Sequence, residues 1–217
     1  MSNLLVSNST VKLKELNSRP RKPGEASFFF YEAHFKTEAV KILPGEYYVS
    51  NEEILIMTTL GSCISACLWD RAAKVGGMNH FMLPDGDGDC ARYGSFAMEL
   101  LINELLKLGA SRSSLEAKVF GGGQVMKGMS AINIGERNTI FVMDYLKTER
   151  IPVVSKDVME VYPRKVCFLP VSGKAMVKRL APSNPDILIT QDRAAAQKVI
   201  PQGMGAGSVL LYERNKS

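Results

Sequence analysis

The chain has 217 residues, 46% of them hydrophobic and 23% charged, with a formal net charge of +5. This composition fits a globular domain with one core and short extensions, and it excludes wholesale disorder and fibrous repeats. The positive balance is mild and scattered, and no nucleic-acid-binding module accompanies it.

In chain order, residues 1 to about 35 read as a basic extension. Lys12, Lys14, Arg19, Arg21 and Lys22 are interleaved with Pro20 and Pro23. That pattern is expected of a solvated, partly flexible arm, with an electrostatic contact to an acidic partner as the sharper alternative. Phe28-Phe29-Phe30-Tyr31 is expected to anchor the arm on the domain, and His34 reads as a surface histidine. No apolar run reaches the length that spans a bilayer. The first residues lack the basic head, apolar stretch and cleavage site of a secretory leader. A cytoplasmic protein without membrane insertion is the expectation, with its four cysteines as reduced thiols rather than a disulfide framework.

From about residue 38 strand patterns take over. Ala39 to Ser50, broken by Pro44-Gly45, reads as strand, turn and strand. Glu53 to Thr59, Ser62 to Trp69 and Val75 to Leu83 follow as further strands, and Asp85-Gly86-Asp87-Gly88-Asp89 as a loop. Ala91 to Leu108 carries the helical period, with Ala97, Leu101, Leu105 and Leu108 on one stripe and Gly109 as the C-cap. Glu116 to Phe120 is a short strand entering Gly121-Gly122-Gly123. Glu136 to Glu149 reads as a second helix that buries Phe141, Val142, Tyr145 and Leu146. Ile151 to Ser155, Lys165 to Leu169 and Ala175 to Arg179 return to strand, Gln191 to Val199 to helix and Ser208 to Tyr212 to strand. Strands early and late around two substantial helices indicate an α+β domain, a layered α/β sandwich with mixed sheets.

The chemistry concentrates at Cys63, at a glycine-marked corner in Thr58-Thr59-Leu60-Gly61-Ser62-Cys63. A thiol at a strand start can be presented while nearby backbone N–H groups face a developing oxyanion. His80 comes seventeen residues later, on the adjacent strand. A neighbouring imidazole can take the thiol proton and return it to a leaving amine. A cysteine and a histidine alone read more readily as a core thiol and a structural imidazole than as a catalytic pair. Zinc held by Cys63, Cys67, His80 and Cys90 is disfavoured, because no tight Cys-x-x-Cys pair is present. Cys67 and Cys167 read as core thiols and Cys90 as a loop residue. Gly121 to Gly123 lacks the Gly-Lys-Ser/Thr ending of a phosphate loop. A close backbone approach to the active site, or a tight strand-to-loop turn, accounts for it better.

Together these segments resemble the CheD family, the chemoreceptor glutamine deamidases of bacterial chemotaxis. The matching pieces are Thr-Leu-Gly-Ser-Cys (59–63), Gly-Gly-Met-Asn-His-Phe-Met-Leu-Pro (76–84) and Arg92-Tyr93-Gly94. Ala-Lys-Val-Phe-Gly-Gly-Gly (117–123) and Ile-Gly-Glu-Arg-Asn (134–138) complete the set. The resemblance spans residues 40 to 180 and implies a Cys-His-Thr catalytic set. Cys63 is then the nucleophile, His80 the general base, and Thr58 the orienting group, with Thr59 as the alternative. Side chains alternate along a strand, so only one of the two threonines faces His80. Gly61, Ser62, Asn79, Gly121 and Gly122 make up the expected substrate and oxyanion region.

The implied reaction converts receptor glutamine side chains to glutamate through a Cys63 thioester, with no metal or organic cofactor. The implied partners are methyl-accepting chemotaxis receptors and, in some bacteria, a CheC-type phosphatase. The implied domain runs from 36 to 180, with residues 181–217 as a C-terminal extension packed on it. The competing readings are a non-catalytic receptor-binding adaptor, and a thiol amidase or methylesterase acting on another protein.

Overall fold

A computed structural model describes residues 11–83, 90–124 and 134–181. Helix α1 covers residues 11–18. Five strands form one sheet: β1 (Phe28–Glu32), β2 (Thr37–Lys41), β4 (Leu55–Leu60), β9 (Arg164–Phe168) and β10 (Ala175–Arg179), in the order β1-β2-β4-β9-β10. Five more form a second sheet: β3 (Tyr47–Ser50), β6 (Val75–Asn79), β5 (Ile64–Asp70), β7 (Leu115–Gly121) and β8 (Val153–Val158), in the order β3-β6-β5-β7-β8. Each sheet is mixed, because β2 and β4 run parallel in the first and β7 and β8 in the second.

Helices α2 (Cys90–Lys107) and α3 (Ile134–Thr148) cover the outer face of the second sheet. Met98, Leu101, Ile102 and Leu105 of α2 and Val142 and Leu146 of α3 pack there on Ile64, Ala66, Leu68, Ala117 and Val119. The other face of that sheet meets the first sheet through Cys63, Cys67, Met78 and Phe120 against Val40, Ile56, Leu60, Val166 and Phe168. The result is three layers, helices on sheet on sheet, and the fold is α+β. Strand β5, covered on both faces, therefore alternates between two apolar environments, which accounts for its near-continuous hydrophobic run.

Details depart from the sequence reading. The aromatic run at 28–31 is the body of β1, an edge strand paired in register with β2 from Phe28↔Lys41 to Glu32↔Thr37. The sheet thus begins before residue 36. Four of the five basic residues upstream have partners while staying at least partly exposed. Lys12 pairs with Glu52, Arg19 with Glu25 and Lys22 with the buried Glu104, while Arg21 stacks on Phe29. Leu13 and Leu16 of α1 pack against the layer between the sheets.

The buried stripe of α2 is Met98, Leu101, Ile102 and Leu105. Ala97 is only half-buried, and Leu108 lies past the helix end and is exposed. In α3, Phe141 and Tyr145 flank the core while Asn138 and Thr139 join Val142 and Leu146 inside it. The expected loop at 85–89, helix at 191–199, strand at 208–212 and extension from 182 onward lie outside the described residues, as do residues 1–10.

Candidate active site

The site forms where the chain changes sheets. β4 ends in the first sheet at Leu60, and Gly61-Ser62-Cys63 carries it across to β5 in the second. In β4 the alternation of a strand puts Ile56, Thr58 and Leu60 toward the second sheet, and Leu55 and Met57 on the outer face. Thr58 therefore points into the layer that holds Cys63, and Thr59 points away from it.

His80 follows β6 and is fixed by its backbone. Its N–H donates to Glu46 O (3.0 Å), and its carbonyl accepts from Gly45 N–H (2.7 Å), both in the turn between β2 and β3. One residue on, Ile64 and Phe81 exchange both backbone hydrogen bonds at 2.9 Å. That pairing sets Ser65 opposite His80 and Cys63 opposite Met82. Cys63 and His80 are thus diagonal neighbours on one face of the sheet, and both are buried.

The Thr58 hydroxyl lies 2.8 Å from His80 Nδ1 and donates to Ile42 O at 2.9 Å. A carbonyl only accepts and the hydroxyl has one proton, so Thr58 must accept from an Nδ1–H. The tautomer that follows leaves Nε2 with a lone pair. Among the described residues Nε2 has no hydrogen-bond partner. Burial pushes the His80 pKa down to about 4, and the Ile42 carbonyl offsets this only in part. A neutral, oriented imidazole with its basic nitrogen held in reserve is suited to accept a thiol proton.

Glycines build the wall beside Cys63. Cys63 O accepts from Gly122 N–H (2.7 Å), and Gly61 O from Gly123 N–H (2.8 Å). Gly121 has φ +108, and a Cβ there would run into Cys63 O; a Cβ at Gly122, with φ +64, would strike Thr139 Oγ1. The triple glycine is a close backbone approach combined with a strand-to-loop turn. Asn79 faces the helix layer instead of His80. Its Oδ1 accepts from Ala66 N–H (2.9 Å) and its Nδ2 donates to Ala97 O (3.2 Å), so it ties β5 and β6 to α2. Cys67 shares the Cys63 face deeper in the sandwich, where burial pushes its thiol pKa up and keeps it protonated.

Three residues join this picture that the sequence reading did not place in the site. Asn138, fully buried in α3, donates from Nδ2 to Ser62 O (2.9 Å) and accepts at Oδ1 from Leu83 N–H (3.0 Å). Tyr93 of α2 sits near Cys63, and burial together with the charge that thiol can carry raises its phenol pKa. Arg164, with its side chain fully buried, pairs with Asp157 and donates to Met159 O, holding the 157–163 crossover against the Gly121–Gly123 wall. Asn138 and Tyr93 lie inside motifs already visible in the sequence, whereas Arg164 has no local signal.

The family model described as CheD chemotactic sensory transduction matches residues 82–179. A protein of Albidiferax ferrireducens named "Probable chemoreceptor glutamine deamidase CheD 1" is 57% identical over 211 residues, covering 96% of this chain and 90% of that protein. One from a Janthinobacterium species, named "Probable chemoreceptor glutamine deamidase CheD", is 50% identical over 86% of this chain and 95% of its own length. One of Methylobacillus flagellatus with the same name is 48% identical over 90% of this chain and 100% of its own length.

Proposed function

The chain belongs to the CheD family of chemotactic sensory transduction proteins, and on that premise we propose that it deamidates glutamine side chains of chemoreceptors, with Cys63 as nucleophile. The observation that carries the mechanism is the Thr58–His80 hydrogen bond, which turns Nε2 toward the acceptor role on the sheet face that bears Cys63. The relatives' names support the substrate and the reaction class.

In this reading the Cys63 thiol gives its proton to His80 Nε2 as sulfur attacks the amide carbon of a receptor glutamine. The carbonyl oxygen becomes an oxyanion. On collapse the C–N bond breaks, and His80 hands the proton to the departing nitrogen, which leaves as ammonia. A thioester remains. Water then attacks it, His80 takes the water proton, and the C–S bond breaks to give glutamate and the restored thiol. Thr58 holds the imidazole in one tautomer, the part that a carboxylate or amide has in other triads. The reading places the protein in the cytoplasm, with the cytoplasmic part of the receptor as its partner.

Mass spectrometry of a receptor cytoplasmic fragment, incubated with wild type and with Cys63→Ala, tests this. Glutamine-to-glutamate conversion by wild type alone is the expected result. Equal conversion by Cys63→Ala would remove the nucleophile, and binding of the fragment without conversion by either protein would favour the adaptor reading.

A further inference from the structure

The corner that carries Cys63 is held by three successive carbonyls. Gly61 O accepts from Gly123 N–H and Cys63 O from Gly122 N–H, so backbone secures the outer two. The middle one, Ser62 O, accepts from the side chain of Asn138 at 2.9 Å. The described chain has only trans peptide bonds. In a planar trans peptide the C=O and the following N–H point in opposite directions. Whatever fixes Ser62 O therefore also fixes the direction of the Cys63 N–H.

The same Asn138 amide accepts from Leu83 N–H at 3.0 Å, three residues beyond His80. Its two partners dictate its orientation, because a carbonyl can only accept and an N–H can only donate. One side chain thus spans the nucleophile's corner and the segment that follows the base. It is fully buried, and it sits in the first turns of α3 where Gly135 packs directly against Gly122, leaving no room for a Cβ. Only a group with a donor and an acceptor at amide spacing can make both bonds. Aspartate would keep the acceptor and set an oxygen against Ser62 O.

We infer that Asn138 is a positioning residue for the oxyanion site: by holding Ser62 O it aims the Cys63 N–H at the oxygen on which charge develops. This rests on the thiol acyl-transfer reading given above. It assigns to Asn138 an effect on transition-state charge, separate from any effect on the reactivity of the thiol.

The test compares two reactions of one thiol. Acylation of Cys63 by p-nitrophenyl acetate passes through a tetrahedral oxyanion. Alkylation by iodoacetamide displaces iodide at a saturated carbon and forms none. Both second-order rates are measured on wild type, Asn138→Asp and Asn138→Ser, well below each protein's melting temperature, with the modified peptide identified by mass spectrometry. In the variants acylation is expected to fall on the order of 10²-fold while alkylation stays within about threefold of wild type. Equal losses in both reactions would show general loosening of the corner and overturn the inference, as would undiminished acylation. A wild-type protein that is acylated at Cys63 but leaves receptor glutamines intact would sink the substrate assignment alone, and the Asn138 comparison would still decide this point.

Discussion

His80 is a histidine whose environment favours the neutral form. Its pKa falls from the usual 6.5 to about 4 because the folded protein removes the ring from water. Between those values the unfolded chain binds more protons than the folded one, so stability rises with pH across that window. The contribution is fully present above about pH 6.5 and is lost as pH drops toward 4. At pH 5 the loss amounts to at most about 2 kcal/mol, because a tenfold change in proton binding is worth about 1.4 kcal/mol. Urea titrations of wild type and His80→Gln at pH 7 and pH 5 check this, and the wild-type midpoint should fall more steeply than the variant's. Parallel pH dependence in the two would mean that the imidazole is not buried in its neutral form.

At the scale of elements, the wall of the site depends on glycine for two separable reasons. Gly121 combines φ +108 with a Cβ position occupied by Cys63 O, whereas Gly109 at the end of α2 has φ +97 and open space around it. Both disfavour alanine through the backbone, at about 1 kcal/mol or more each. Only Gly121 adds a collision with main chain that cannot swing aside. Gly121→Ala is expected to lose about 3 kcal/mol or more in denaturant unfolding and Gly109→Ala about 1 kcal/mol. Similar losses at the two positions would deny the close approach of β7 to the Cys63 corner. The same geometry explains the limits of legibility here. Strand and helix positions show in the hydrophobic periods, and the corner shows in its glycines. The choice between Thr58 and Thr59 depends on which face of β4 meets the second sheet, which becomes determinate only when β4 pairs with β9 from Ile56↔Phe168 to Leu60↔Arg164. The buried stripe of α2 is displaced from the expected one because Met98 and Ile102 lie beside the Ala97–Leu101 row, and a period alone does not rank neighbouring rows.

For the molecule as a whole, two sheet-to-sheet crossovers meet at one end of the sandwich. The first, at 61–63, carries Cys63. The second runs from β8 to β9 through 159–163, where Met159 and Glu160 both have positive φ. Met159 N–H donates to Gly121 O and Gln124 N–H to Glu160 O, so the second crossover braces the glycine wall that braces the first. Two consecutive non-glycine residues in the left-handed region persist only where surrounding bonds hold them. Arg164 supplies those bonds from inside, through Asp157 and the Met159 carbonyl. None of this is legible in the sequence, because Arg164 looks like any strand-end arginine until the sheets stack. Asn138 stands in a motif visible in the sequence, but its role is not visible there, since its partners lie 76 and 55 positions away.

A site assembled from segments far apart in the chain makes one covalent claim, that the reaction passes through Cys63. The most direct measurement is acid quenching of wild type mixed with receptor fragment during early turnover, followed by mass spectrometry of the intact proteins. The expected species has the summed mass of enzyme and fragment less one ammonia, maps to the Cys63 peptide and is released by hydroxylamine. Receptor glutamate accumulating at an undiminished rate in Cys63→Ala, with no such adduct in wild type, would contradict it.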